Sequence, residues 1–186
     1  MATINIKKDC FEYSIDRFID WYIEVNPSNT EGWKSDFTKL KLIKLNFFLS
    51  AVNANEDSDG LLDIFDNYYA MPYGHVESEV YDNIPDLNKY IITNKGVDYK
   101  CRDYDYPHLV KGVKDRIDSA IASLKKENSD IIKYGAFKLV ELSHQWYSWI
   151  NMYNLAKMRN AKSIHIPSEL IKNESKIFEV EEYVMF

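Results

Sequence analysis

Cysteine is nearly missing: Cys10 and Cys101 are the whole complement in 186 residues, too few for the disulfide framework on which small secreted scaffolds depend. With no cationic-then-apolar leader at the start, this usage points to the reducing cytoplasm. Glycine is scarce too, six residues scattered singly, so there is no G-x-x-x-x-G-K loop to cradle phosphates and no dinucleotide-binding turn. Basic residues number 23 against 29 acidic, a net charge of -6. That balance denies the chain the broad positive field of a phosphate-backbone binder, so no nucleic acid is expected as a partner of this chain alone. The most apolar run, residues 40–52, is interrupted by Lys41, Lys44 and Asn46. It falls far short of the ~20 residues a spanning helix needs, so no membrane segment is expected.

What the chain has in quantity is aromatic surface. Fourteen tyrosines, nine phenylalanines and four tryptophans bring the aromatic share to 15%, within a hydrophobic share of 46%. Such side chains supply large, stiff contact area and argue for a packed fold rather than disorder. The length suits one domain spanning residues 1–186. Lys34, Lys39, Lys41 and Lys44 fall close together, and Glu56, Asp57, Asp59, Asp63 and Asp66 come after them as an acidic stretch. A solvated helix face beside an acidic loop accounts for both.

Apolar spacing predicts a helix over residues 10–25, with Asp9 as N-cap and Asn26-Pro27 as the stop. A second helix, over 35–52 with Ser35 as cap, is apolar nearly all round and belongs in the middle of the core with its lysines at the rim. Residues 53–60 form a polar loop, and the Leu61-Leu62-Asp63-Ile64-Phe65 run is either a short strand or a lead-in to the tyrosine-rich segment beyond it. After a turn at Pro72-Tyr73-Gly74, Val76, Val80, Tyr81 and Ile84 fit a short helix ended by Pro85. Residues 90–93 and 97–101 read as a small hairpin. Further helices are expected over 107–126, 131–143 and 146–158, with a last short one opening at Pro167. The fold class is therefore mainly α: a single compact multi-helix domain with a small β-hairpin or short-strand addition.

Chemistry-bearing constellations are few. His75 and Glu79 stand at i and i+4 and could share a helical face, the minimum from which a zinc-type set would be assembled for a metal-dependent hydrolase. That spacing arises easily by chance among four histidines and 29 acids, so no metal and no cofactor is assigned. Ser143-His144 lacks a G-x-S-x-G elbow, and Ser143 reads better as a break or cap after Leu142. The densest informative stretch is residues 65–81, where Tyr68, Tyr69, Tyr73 and Tyr81 crowd the Pro/Gly turn. Aromatic rings at such a turn are of the kind enriched in interface hot spots. The candidate partner-binding residues are Tyr69, Tyr73 and His75, with Lys39 and Lys41 as rim charges.

Taken in order, residues 38–51 (TKLKLIKLNFFLSA), 70–81 (AMPYGHVESEVY) and 142–149 (LSHQWYSW) resemble the SocA-like antitoxin family, also called the Panacea domain. The resemblance spans roughly residues 35–160. Gly74-His75-Val76 carries His where that family usually has Pro. The likeness implies a mainly α-helical, non-enzymatic protein of phage- or mobile-element-associated toxin-antitoxin pairs, which binds and blocks a toxin encoded by a neighbouring gene. Some members instead present the toxin to a protease, and for that alternative role residues 177–186 (IFEVEEYVMF) are the candidate docking element.

Overall fold

The computed structural model describes residues 2–180. The first helix, α1 (Ile4–Val25), starts earlier than residue 10 because Thr3 caps it, its hydroxyl accepting the Ile6 amide at 3.4 Å. Asp9, expected as that cap, lies inside the helix. Its buried carboxylate accepts from the Tyr104 hydroxyl at 2.8 Å and from the His108 amide at 2.9 Å. The polar start of α1 reads as loop in the sequence because its buried polar groups are satisfied from far along the chain.

The expected 35–52 helix is two elements, α2 (Trp33–Asp36) and α3 (Lys39–Ala51). Thr38, not Ser35, caps α3, accepting the Lys41 amide at 3.3 Å. Short strands β1 (Ala54–Asn55) and β2 (Ser58–Asp59) come next, and residues 61–65 run through turns rather than a strand. They lead to β3 (Tyr68–Met71) and β4 (Gly74–Glu77), then α4 (Ser78–Asn83). The expected helix after the turn is thus preceded by a strand, and α4 opens where the Glu77 carboxylate caps the Val80 amide at 2.6 Å. The predicted hairpin is present as β5 (Tyr90–Thr93) and β6 (Gly96–Tyr99). Beyond it lie α5 (Lys111–Glu127), α6 (Ala136–His144), α7 (Tyr147–Met158), β7 (Ile164–His165) and α8 (Ser168–Asn173). Ser143 sits within α6 and caps nothing.

Helices dominate, but the strands form three small sheets, so the fold is mixed and not all-α. The largest sheet has the antiparallel order β4-β3-β7, with Tyr69 opposite both Val76 and His165. The core gathers around α3, where every residue from Lys41 to Ala51 is buried. That helix packs against α1, α5, α6 and β4. Surrounding it on all sides is what an all-round apolar helix demands, and it draws lysines expected at a rim into the interior. No helix among the described residues is long and apolar enough to cross a membrane.

Lys7 shows how the sheet is tied to α1. Its buried ammonium binds Asp66 at 2.6 Å, Glu77 at 2.7 Å and also Glu79. Burial alone would lower the lysine's pKa; hydrogen bonds to the three carboxylates outweigh it and hold the group above its ordinary range. Burial also pushes the Glu77 carboxyl up, against the pull of Lys7. Replacing the cation strands three acids around a desolvated site. Lys7→Met is expected to cost about 3–5 kcal/mol at pH 7. With Lys7 gone, the folded state takes up protons that the unfolded chain does not hold near neutral pH, so the deficit shrinks as pH falls toward ~5. Urea unfolding at the two pH values checks this, and a loss under about 1 kcal/mol or a pH-independent one would show that the ammonium does not hold the site together.

Candidate functional site

The β3–β4 turn is anchored from behind by three side chains. Gly74 takes φ +94°, a left-handed conformation that side chains disfavour. A Cβ there would also run into the Ser143 hydroxyl and approach the Lys44 ammonium to 3.0 Å. Behind the turn, Lys44 donates to the His75 carbonyl. The His75 amide donates to Ser143 Oγ at 3.2 Å, and Trp149 Nε1 donates to the Met71 carbonyl at 2.9 Å.

The His75 ring is clasped rather than offered. It stacks on Phe47 at 3.7 Å and 9°. Its Nδ1 lies 3.0 Å from Ser143 Oγ, and its Nε2 lies 2.8 Å from Ser148 Oγ. Both ring nitrogens therefore have a hydroxyl partner, and a neutral imidazole donates from one of them and accepts at the other. Burial, reinforced by Lys44, holds the imidazole well below its ordinary pKa, so it is neutral at physiological pH. The α6 and α7 helices supply both serines, so Ser143 serves to position the turn. Next to it, His144 stacks on Trp149 at 3.8 Å and Trp149 on Tyr153 at 4.8 Å.

This rigid backing pushes Tyr73 outward, 57% exposed, toward Phe137 on α6, 68% exposed, with ring centroids 6.4 Å apart. On the other side of Tyr73 lies an apolar cleft of about 360 Å³, floored by Leu40, Ile43, Met71 and Val76 and walled by Tyr81. The Lys39 ammonium stands 3.6 Å from the Tyr81 ring centroid at its edge, a cation–π geometry. A second depression shares Leu40, Tyr73 and Asn94 and continues to Phe137.

Of the five residues expected to meet a partner, Lys39 and Tyr73 come together at this cleft. Tyr69 is half-buried and packs edge-on against His165 at 5.5 Å, outside the cleft lining. Lys41 and His75 are fully buried and reach no surface, which corrects their expected roles. Lys41 is turned inward to Asp36 at 2.5 Å and the Ile132 carbonyl at 2.7 Å, because its helix is covered on every side. Leu40 and Tyr81 line the cleft and Phe137 the depression joined to it, and sequence reasoning left all three out of the candidate set. No local signal marked Phe137, since the helical pattern expected over 131–143 does not separate an exposed aromatic from a core one.

Nor does His75 pair with Glu79. His75 is on β4 with both ring nitrogens engaged, whereas Glu79 opens α4 and binds Lys7. Asp66, Glu77 and Glu79 place carboxylate oxygens within 4.8 Å of one another, but the Lys7 ammonium is bonded to all three. At the other end of the chain, the Ile177 carbonyl accepts from Trp146 Nε1 at 2.9 Å, and Phe178 is buried. The rest of the suggested docking element, residues 181–186, lies outside the described residues.

No family model, curated protein or solved structure matches the chain. Its function is therefore argued from this surface and from the sequence resemblance.

Lys44 gives the site a pH signature. Burial lowers its pKa to about 7. Between pH 7 and the ordinary lysine value of 10.5, the unfolded chain binds a proton that the folded chain does not, so stability rises with pH through that window. Below about pH 7 both states carry the charge and the slope ends. Cys10, whose thiol is pushed by burial from 9.0 to about 12, opposes the trend above pH 9. Lys44→Met should lack the rise. From pH 7 to 9, the wild type is expected to gain roughly 2 kcal/mol over the variant by denaturant unfolding. Parallel pH profiles would mean that Lys44 is charged in the fold.

Proposed function

We propose that the chain is a cytoplasmic antitoxin that neutralises a cognate toxin, encoded by a neighbouring gene, through direct protein–protein binding. The observation that carries the reading is the exposed aromatic edge of Tyr73, Phe137 and Tyr81 around a preformed apolar cleft. Aromatic anchors beside a desolvated pocket are where binding energy concentrates. A turn already held by Lys44, Ser143 and Trp149 loses little freedom on binding. The resemblance of residues 38–51, 70–81 and 142–149 to the SocA-like family supplies the identity of the partner class. Direct neutralisation is favoured over delivery to a protease because the cleft is lined by residues of two of the segments that carry the resemblance, 38–51 and 70–81.

Co-expression with the product of the adjacent reading frame tests this, scored by growth rescue and by co-purification. Wild-type chain is expected to rescue and to form a complex. Tyr73→Ala with Phe137→Ala should weaken the complex by about 2–3 kcal/mol, roughly thirty- to a hundred-and-fiftyfold, while leaving the melting temperature unchanged because both rings are largely exposed. A toxic neighbour that is neither rescued nor bound would sink the antitoxin reading.

A further inference from the structure

We propose that the cleft beside Tyr73 receives an apolar side chain from a partner segment that carries a carboxylate next to it, with the carboxylate set against Lys39. The inference rests on the protein-binding reading above and names the chemistry the partner must present.

Charge distribution carries the argument. Although the chain has 29 acidic residues, no carboxylate lines the cleft or the depression joined to it. The charged group in the lining is Lys39, and it makes no salt bridge among the described residues. Nearby lysines differ: Lys34 pairs with Glu31 at 2.7 Å and Lys41 with Asp36 at 2.5 Å. Resting over the Tyr81 ring, the Lys39 ammonium stands at the mouth of an apolar floor, where a partner that displaces water strengthens its attraction for an anion. At about 360 Å³ the cleft is at the small end of ligand sites. It suits one large or two modest side chains, and a flanking acid would set their register. Its walls are in place beforehand, since Met71 is tied to Trp149 and the turn to Ser143 and Lys44.

The test is a methyl NMR titration of the full chain with three capped tetrapeptides: Glu-Leu-Phe-Glu, Lys-Leu-Phe-Lys and Glu-Gly-Gly-Glu. The net charge of -6 favours the lysine peptide at long range, so preference for the glutamate peptide reports Lys39 locally. Saturating shifts at the Leu40, Ile43, Met71 and Val76 methyls are expected with Glu-Leu-Phe-Glu, with affinity at least about fivefold above the lysine peptide and no response to the glycine one. Lys39→Glu places an acid in the first turn of α3, where the helix dipole welcomes it, and should reverse the preference. No shifts at roughly 5 mM peptide, or equal shifts with both charged peptides, overturn the proposal. Two further outcomes also overturn it, by changing the occupant: a dimer abolished by Lys39→Glu in sedimentation, or cleft methyl shifts on removing residues 181–186.

Rescue by the same variant separates this proposal from the antitoxin reading. If wild type and Lys39→Glu rescue equally and no peptide binds, the cleft chemistry is wrong and the antitoxin stands. If wild type fails to rescue yet the glutamate peptide binds, the cleft chemistry stands and the antitoxin reading falls.

Discussion

An ammonium ion taken out of water must be met by charges or carbonyl oxygens, and that constraint organises the molecule. Three lysines are fully buried: Lys7, Lys41 and Lys44. Each dictates where another segment goes. Lys7 draws the acids flanking β3 and β4 onto α1. Lys41 binds Asp36 before α3 and the Ile132 carbonyl between α5 and α6. Lys44 has only the His75 carbonyl, among the described residues, and burial accordingly strips it of much of its affinity for a proton. Separating any one of these segments from its lysine would leave a buried polar group without its partner, which ties each segment to its place.

The exposed aromatic turn is a by-product of this interior order. Because the backbone on both sides of Pro72-Tyr73 is consumed by Lys44, Ser143 and Trp149, the turn cannot fold its tyrosine back onto the body. Gly74 permits the sharp reversal that directs it outward. Exposure of the ring and burial of the histidine one residue past the glycine are therefore two faces of one arrangement.

Much of the helical framework was legible in the sequence, because amphipathic spacing in α1, α5 and α7 comes directly from the need to bury one stripe. The β5–β6 hairpin was legible from its Asn-Lys-Gly turn. The start of α1 was not, since Lys7, Asp9 and Glu12 are polar residues made core by partners more than fifty residues away. For the same reason Lys41 and His75 were misplaced: local polarity argues for solvent, and only the long-range bonds show otherwise. At the candidate site, Tyr73 and Lys39 were readable from the turn and from the helix start. The cleft between them was not, because its floor joins α3 to β3 and β4, and no local pattern encodes that meeting.

Trp149 occupies an unusual vantage point in this scheme. The other tryptophans, Trp21, Trp33 and Trp146, are buried, whereas Trp149 is half-buried with its indole N–H on the Met71 carbonyl. It lies face to face with His144, which burial and then Lys44 keep below its ordinary pKa, so the ring it touches is neutral at pH 7. The chain thus carries a built-in chromophore bonded to the backbone of the β3–β4 turn, placed where a change in that turn alters the indole's surroundings while the other three indoles stay enclosed.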